Sequence, residues 1–139
     1  MNSYSINELS AGQSAEISRT VSEGDLFVYA GVTGDYNPVH LDKEFAAKSM
    51  FGERIAHGML TAGFISAALG TQLPGVGCIY LGQEMKFLAP VKIGDTIKTV
   101  VTVKELNTEK NRVTMQTECF NQDGIMVVDG TAMLKPVKK

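Results

Sequence analysis

The sequence predicts an α+β protein in which a curved antiparallel β-sheet wraps around one long central α-helix. Residues 57–70 are apolar on nearly every side, as expected of a helix that must be buried. From Gly77 onward, five strand-like segments rich in Val, Ile, Thr, Phe and Met follow one another with short connections, which favours antiparallel pairing. A chain of 139 residues with 44% hydrophobic residues is long enough for one core. A single domain over residues 1–139 is therefore expected.

The first elements are a short strand and a helix. Residues 13–21 alternate loosely between apolar and polar side chains, which predicts a strand. Ser22 and Asp25 stand three residues apart before an apolar-rich segment, a spacing typical of a helix N-terminus. A helix over residues 23–32 is predicted.

A proline-containing segment follows this helix. Pro38 fixes its own φ and disfavours the helical region for Asn37, so residues 33–40 are predicted to form a rigid loop. Asp42 can cap a short helix that runs through residues 45–47.

The second half of the chain has strand periodicity. Residues 122–124 are a hairpin-turn signal, and residues 107–111 predict another turn. Pro90 and Gly94 interrupt the pattern between the second and third of these strands. The predicted strands are 78–82, 83–88, 96–107, 112–121 and 125–135.

The charge balance and the cysteines exclude several classes of protein. Thirteen Lys and Arg residues oppose fifteen Asp and Glu residues, for a net charge of −2, with no basic cluster beyond the last two lysines. Binding to a phosphate backbone needs a concentrated positive face, so no nucleic-acid partner is expected. Cys78 and Cys119 stand alone, without a CxxC or Cys/His spacing, and are expected to be free thiols.

No targeting or membrane segment is recognisable in the sequence. The N-terminal residues lack a basic start followed by an apolar run, so no secretory signal is expected. The most apolar stretch, residues 59–69, is too short to span a bilayer. A soluble, cytoplasmic protein without a membrane partner is therefore expected.

The strongest candidates for chemistry lie in the loop and at the start of the long helix. Asp35 and His40 are five residues apart and can both exchange protons, although an Asp in a turn is often only a turn former. Gly58 opens the long helix, where its N–H and the helix dipole offer a site for developing negative charge. His57 either serves this site or only packs and hydrogen-bonds the chain.

Ser66 is a second polar candidate on the long helix. A serine in a buried apolar helix needs a hydrogen-bond partner. That partner is either the carbonyl of Ala62 or a residue of the site. No GxSxG sequence surrounds Ser66, so a nucleophilic serine is not expected.

Several separated blocks of the sequence resemble one family. The blocks are residues 29–40, 51–60, 73–75, 80–83 and 87–95. Together they resemble the hydratase 2 signature of the MaoC-like dehydratases, and most of all the short (R)-specific enoyl-CoA hydratases. The resemblance covers nearly the whole chain.

This resemblance implies a hot-dog fold and a set of site residues. Asp35 and His40 would be the catalytic pair, with the question of which is base and which is acid left open. Gly58 would supply the oxyanion-hole N–H, and Ser66 and Asn37 would support the site. The implied reaction is reversible hydration of trans-2-enoyl-CoA to (R)-3-hydroxyacyl-CoA.

Substrate contacts and partners are expected as well. His57 and Leu69 are expected to bind substrate, and Met133 is a further candidate for the acyl pocket. No metal, flavin or nicotinamide is expected, and no GxGxxG follows a strand. The expected partners are acyl-CoA, or an acyl group on a carrier protein, and a second copy of the chain in a homodimer or a larger dimer-based oligomer. By family association, the pathway would be fatty-acid degradation that supplies polyhydroxyalkanoate precursors.

Two alternative functions stay open at this stage. A hot-dog acyl-CoA thioesterase would bind the same thioester and direct a water at its carbonyl carbon. A non-catalytic acyl-thioester binding subunit would keep the fold without the reaction.

Overall fold

The computed structural model describes residues 1–139, which form five strands and four α-helices. A short 3-10 turn at Ile6–Glu8 precedes them. In chain order the elements are β1 (Ser14–Thr20), α1 (Glu23–Thr33), α2 (Pro38–Leu41), α3 (Lys43–Ala47), α4 (Gly58–Thr71), β2 (Ile79–Phe87), β3 (Thr96–Asn107), β4 (Arg112–Phe120) and β5 (Met126–Lys135).

The sheet is antiparallel throughout, in the order β1-β3-β4-β5-β2, and α4 packs against it. Along β4, buried and half-buried residues alternate, because successive side chains of a strand point to opposite faces. The buried face joins α4 in one core cluster. Its sheet members include Ile97, Val101, Val103, Val113, Met115, Ala132 and Leu134. The predicted fold of a sheet around a long helix is confirmed.

Helix α4 is buried on only one side, which corrects the expectation that it is buried all round. Ile65 and Leu69 are completely buried in the core, whereas Met59, Gly63 and Ser66 are exposed. The cause is geometric, because the sheet of one chain covers only the side of the helix that faces it.

Helix α4 continues to Thr71 rather than ending at Gly70. Gly70 does not adopt a left-handed φ, so it does not act as a helix-ending glycine. The chain leaves the helix shortly before Pro74.

One strand replaces two of the predicted strands. Residues 78–82 and 83–88 were expected to form separate strands, but both belong to β2. Tyr80 and Gly82 pair with consecutive residues of β5, so Leu81 is an extra residue in a β-bulge. The bulge breaks the period-two pattern without breaking the strand.

The predicted starts of α1 and α3 are confirmed by their caps. The Ser22 hydroxyl accepts a hydrogen bond from the Asp25 N–H at 3.1 Å, and the Ser22 N–H donates to the Asp25 carboxylate at 2.9 Å. The Asp42 carboxylate accepts from the N–H groups of Glu44 and Phe45 at the start of α3, each at 3.0 Å. None of the helices is long and apolar enough to cross a membrane.

Candidate active site

The loop after α1 is held by a series of short turns. Gly34 follows the last residue of α1 as its C-cap, and its φ of 79° is left-handed and suits a glycine. The Asp35 N–H donates to the Thr33 hydroxyl at 3.2 Å, and the Asn37 N–H donates to the Asp35 carboxylate, also at 3.2 Å. The Asn37 side chain in turn accepts from the Val39 N–H at 3.4 Å. Asp35 is therefore exposed but fixed within its own loop.

The end of the predicted loop is a helical turn, which corrects the sequence prediction. Pro38 is the first residue of α2, where a missing N–H costs no helical hydrogen bond, and Asn37 caps the turn. The proline therefore starts a helix here instead of preventing one. This turn buries His40, leaving it only 8% exposed.

A backbone carbonyl fixes the protonation pattern of the His40 ring. Its Nδ1 lies 2.7 Å from the Ile55 carbonyl oxygen. A carbonyl only accepts, so Nδ1 carries the hydrogen and Nε2 of the neutral ring keeps a free lone pair.

The surroundings of His40 lower its pKa below the usual value of 6.5. Burial is the largest cause, because it disfavours the charged ring. The hydrogen bond to Ile55 and the charge of Asp35 oppose this shift, and His57 adds to it. The neutral, basic form of His40 is thus favoured near neutral pH.

His57 lies at the N-cap of α4 and is 2% exposed. Its Nε2 is 3.0 Å from the backbone carbonyl of Asp35, which makes Nε2 the donor. Its ring stacks on that of His40, with centroids 3.9 Å apart, and lies 4.6 Å from the ring of Tyr29. His57 does not line the cavity described below, and its predicted contact with substrate stays a prediction.

Three side chains of the site are of types that can bind a metal ion. They are those of Asp35, His40 and His57, and their possible ligand atoms lie within 4.8 Å of one another. Imidazole binds a metal through a lone pair in the ring plane, at about 2.1 Å. The planes of the two rings are stacked and inclined by only 26°. Their lone pairs therefore do not converge on one ion, and the cluster is better suited to proton transfer than to metal binding.

Gly58 is the first residue of α4, and its N–H has no acceptor within the chain. The helix dipole adds partial positive charge at this end. A Cβ on residue 58 would lie 2.8 Å from Cε1 of Phe87, so only a glycine fits under the ring in its present position. The free N–H can donate to an oxygen that becomes negative.

An apolar cavity of about 290 Å³ brings several of these groups together. Nine of the thirteen residues that line it are hydrophobic, so charge that develops there is weakly screened. The lining comprises His40, Phe51, Ile55, Ala56, Gly58, Thr61, Phe87, Leu88, Ala89, Pro90, Val91, Val127 and Val128.

Thr61 is a polar residue at the cavity that the sequence analysis missed. It is 1% exposed, and its hydroxyl has no hydrogen-bond partner. Its position three residues after Gly58 could have indicated a place in the site, because residues three apart lie on the same face of a helix. Residues 87–91 also line the cavity and were not predicted as site residues. They lie in the block 87–95, which is one of those that resemble the family.

Besides His57, five predicted residues do not line this cavity: Asp35, Asn37, Ser66, Leu69 and Met133. Leu69 is completely buried in the core and Met133 is half-exposed outside this cavity, so their contact with an acyl chain stays a prediction. Ser66 lies on the exposed side of α4 and makes no side-chain hydrogen bond. Its supporting role stays a prediction.

Comparison with known proteins gives consistent matches over most of the chain. A family model for the MaoC like domain matches residues 6–122. The (R)-specific enoyl-CoA hydratase of Rhodospirillum rubrum is 50% identical over 125 residues, which cover 90% of this chain and 86% of that protein. The 3-hydroxybutyryl-CoA dehydratase of Methylorubrum extorquens is 45% identical over 132 residues, covering 95% and 83%. The solved, unliganded R-hydratase of Pseudomonas aeruginosa has a TM-score of 0.93 at 50% identity, covering 99% of this chain and 88% of that one.

The sheet, the central helix and the cavity define a hot-dog-fold protein with acid–base side chains beside a free helix N–H. The matches agree with this class and confirm the resemblance found in the sequence. The chain belongs to the MaoC-like domain family.

Proposed function

We propose that this protein catalyses the reversible hydration of trans-2-enoyl-CoA to (R)-3-hydroxyacyl-CoA by acid–base catalysis, without a redox cofactor. The relatives named as (R)-specific enoyl-CoA hydratase and 3-hydroxybutyryl-CoA dehydratase support the reaction class. The (R) configuration of the product rests on those relatives.

One observation carries the proposal. His40 has an unprotonated Nε2, because its Nδ1 is bound to the Ile55 carbonyl, and Gly58, whose N–H is free, lines the same apolar cavity as His40. Hydration of a conjugated thioester needs a base for the water and a donor for the thioester oxygen. The two residues that can supply them line one cavity.

In the proposed reaction, water adds across the C2–C3 double bond of the enoyl thioester. A water oxygen forms a bond to C3 of the enoyl group while His40 Nε2 accepts one of its protons. The electron pair of the C2–C3 double bond moves toward the thioester carbonyl, and the Gly58 N–H stabilises the enolate oxygen. The proton taken up by His40 then passes to C2, directly or through Asp35, which regenerates the thioester and returns both side chains to their starting protonation.

We assign the role of base to His40. Asp35 then either orients the water or returns the proton to C2. The lowered pKa of His40 favours a neutral ring that can accept a proton. The Asp35 carboxylate is close enough to cooperate, since its ligand atom lies within 4.8 Å of that of His40.

We infer that the chain forms one domain. One cluster of twenty buried residues extends from Leu9 to Leu134 and includes residues of α1, α4 and the sheet. A single core of this kind is what a chain of this length supports.

We also propose that two copies form a dimer through β2 and the exposed side of α4. β2 is an edge strand that pairs only with β5, and its Ile79, Leu81 and Phe87 are about half-exposed. α4 contacts β2 and adds exposed Met59 next to small residues. A second copy of the chain would cover this apolar surface and the unpaired edge.

The direct test uses the purified protein with crotonyl-CoA and longer trans-2-enoyl-CoA substrates. We expect loss of the conjugated enoyl absorbance, followed by chiral identification of (R)-3-hydroxyacyl-CoA. Release of free CoA thiol would instead show a thioesterase. If no substrate of any chain length reacts, on CoA or on a carrier protein, the result would indicate a non-catalytic acyl-thioester binding subunit. Either outcome overturns the proposal.

A further inference from the structure

We propose that His57 is a positioning residue that holds Asp35 in register with His40, rather than a residue that touches substrate. The inference deepens the proposed function, because it concerns how the two reacting side chains of that site are kept together.

The contacts of Asp35 are the main observation. Its N–H and its carboxylate bond only to Thr33 and Asn37, within its own loop. The single hydrogen bond that joins Asp35 to a distant part of the chain is the one from His57 Nε2 to its carbonyl, across 22 positions of sequence. Without this bond, no hydrogen bond would connect Asp35 to a distant part of the chain.

The same imidazole also contacts His40. The two rings are stacked with centroids 3.9 Å apart, and Tyr29 packs on His57 with a ring separation of 4.6 Å. His57 thus joins the loop after α1, the turn α2 and the start of α4. A shift of its ring would change the distance between the Asp35 carboxylate and His40 Nε2.

The unused nitrogen of His57 indicates what the ring supplies. Nδ1 is buried and has no hydrogen-bond partner, which an apolar aromatic side chain in the same space would avoid. The feature that an apolar ring lacks is the Nε2–H donor to Asp35. The hydrogen bond, and not the filling of space, is therefore the function assigned to His57.

The test compares three substitutions that separate the hydrogen bond from the ring. In His57→Gln, the amide nitrogen stands near the position of Nε2 and can still donate to Asp35. In His57→Asn, the amide nitrogen stands near the position of Nδ1 and cannot reach, and His57→Phe keeps the stacked ring without a donor. Phe64→Leu, a change to a buried ring elsewhere on α4, serves as the control.

For hydration of crotonyl-CoA, we expect kcat to fall by about 10- to 100-fold in His57→Asn and His57→Phe, with KM changed by less than about threefold. His57→Gln should recover kcat to within about fivefold of the original protein, and Phe64→Leu should leave kcat unchanged. Folded Asn and Phe variants with the original kcat would overturn the inference. So would a Gln variant as slow as the Asn variant.

A second measurement does not depend on the reaction. Amide hydrogen exchange in residues 34–41, followed by mass spectrometry, should become faster in the Asn and Phe variants and stay near the original rate in the Gln variant. Unchanged exchange in all three would overturn the positioning role. If the protein hydrates no substrate but its variants show this exchange pattern, the positioning role of His57 stands and the proposed hydratase function is rejected.

Discussion

The Nδ1 atom of His40 donates a hydrogen bond to the carbonyl oxygen of Ile55 over 2.7 Å, and this contact selects the tautomer of the ring. It leaves Nε2 as the basic nitrogen, on a residue that lines the cavity. Ile55 follows α3 and His40 lies in α2, so the geometry of the proposed base depends on a contact between two segments fifteen residues apart.

Removing either member of the proposed catalytic pair should abolish most turnover. Asp35→Asn and His40→Gln should each lower kcat for enoyl-CoA hydration by at least about 10²-fold, the usual scale for a positioned acid or base. Ser66→Ala should cost less, since Ser66 is predicted only to support the site. Asp123→Asn, in the hairpin turn before β5, is a matched carboxylate control. A folded Asp35→Asn or His40→Gln variant with near-full activity would show that the pair is misassigned.

The pH dependence of kcat/KM should report the lowered pKa of His40. Protonation of Nε2 removes the lone pair, so activity falls as the pH drops through the folded-state pKa, which lies below 6.5. The same sign applies to stability: the unfolded ring binds a proton first, and stability is lost as the pH falls from about 6.5 downward. Stopped assays across pH 4.5 to 8 measure the acidic limb. A midpoint at or above 6.5 contradicts the prediction.

A methyl group at position 58 should harm activity more than stability. Gly58→Ala places a Cβ 2.8 Å from Cε1 of Phe87, whose half-exposed ring can move aside. The methyl group then occupies space beside the free N–H, and we expect kcat/KM to fall by at least about tenfold. In Gly31→Ala on α1, a Cβ meets nothing within 4 Å, so the protein should gain about 0.5–1 kcal/mol without losing activity. Equal activity of the two variants would refute this role for Gly58.

Replacing the unpaired Thr61 hydroxyl should stabilise the protein. Thr61→Val removes a buried polar atom that has no partner, for an expected gain of about 1 kcal/mol, or about 3 °C in Tm. Thr99→Val is the matched control. The Thr99 hydroxyl is buried 3.4 Å from the Cys119 sulfur, so its removal should lose a hydrogen bond and lower the Tm. Thermal scans at one protein concentration give both values. A lower Tm for Thr61→Val would mean that its hydroxyl is satisfied in solution.

The proposed dimer face can be tested on α4. Light scattering should give about twice the 15.0 kDa chain mass, or a multiple of that dimer. Gly63→Arg should shift the protein toward monomer, because a Cβ at Gly63 meets nothing within 4 Å in one chain and only a partner would be in the way. Gly31→Arg, on the exposed side of α1, should leave the mass unchanged. A monomer at assay concentration in the original protein would reject the dimer.

Local signals in the sequence determined the elements and much of the candidate site. The Ser22 and Asp25 cap, the apolar residues of α4 and the period-two pattern of β4 each act over a few residues, and these elements formed near their predicted bounds. The bulge at Leu81 joined two predicted strands into one. Asp35, His40 and Gly58 stood out for similar reasons, because loop chemistry and a helix start are also local features. The family resemblance then gave these residues proposed roles.

Only the tertiary structure decided which groups meet. The bond from His40 to Ile55, the stacking of His57 on His40 and the position of Phe87 over Gly58 join segments distant in sequence, so no local spacing reveals them. The exposure of Ser66 and the burial of Leu69 likewise depend on which side of α4 the sheet covers. Periodicity shows that a helix has an apolar surface, whereas packing decides which part of that surface lies in the core and which is left for a partner.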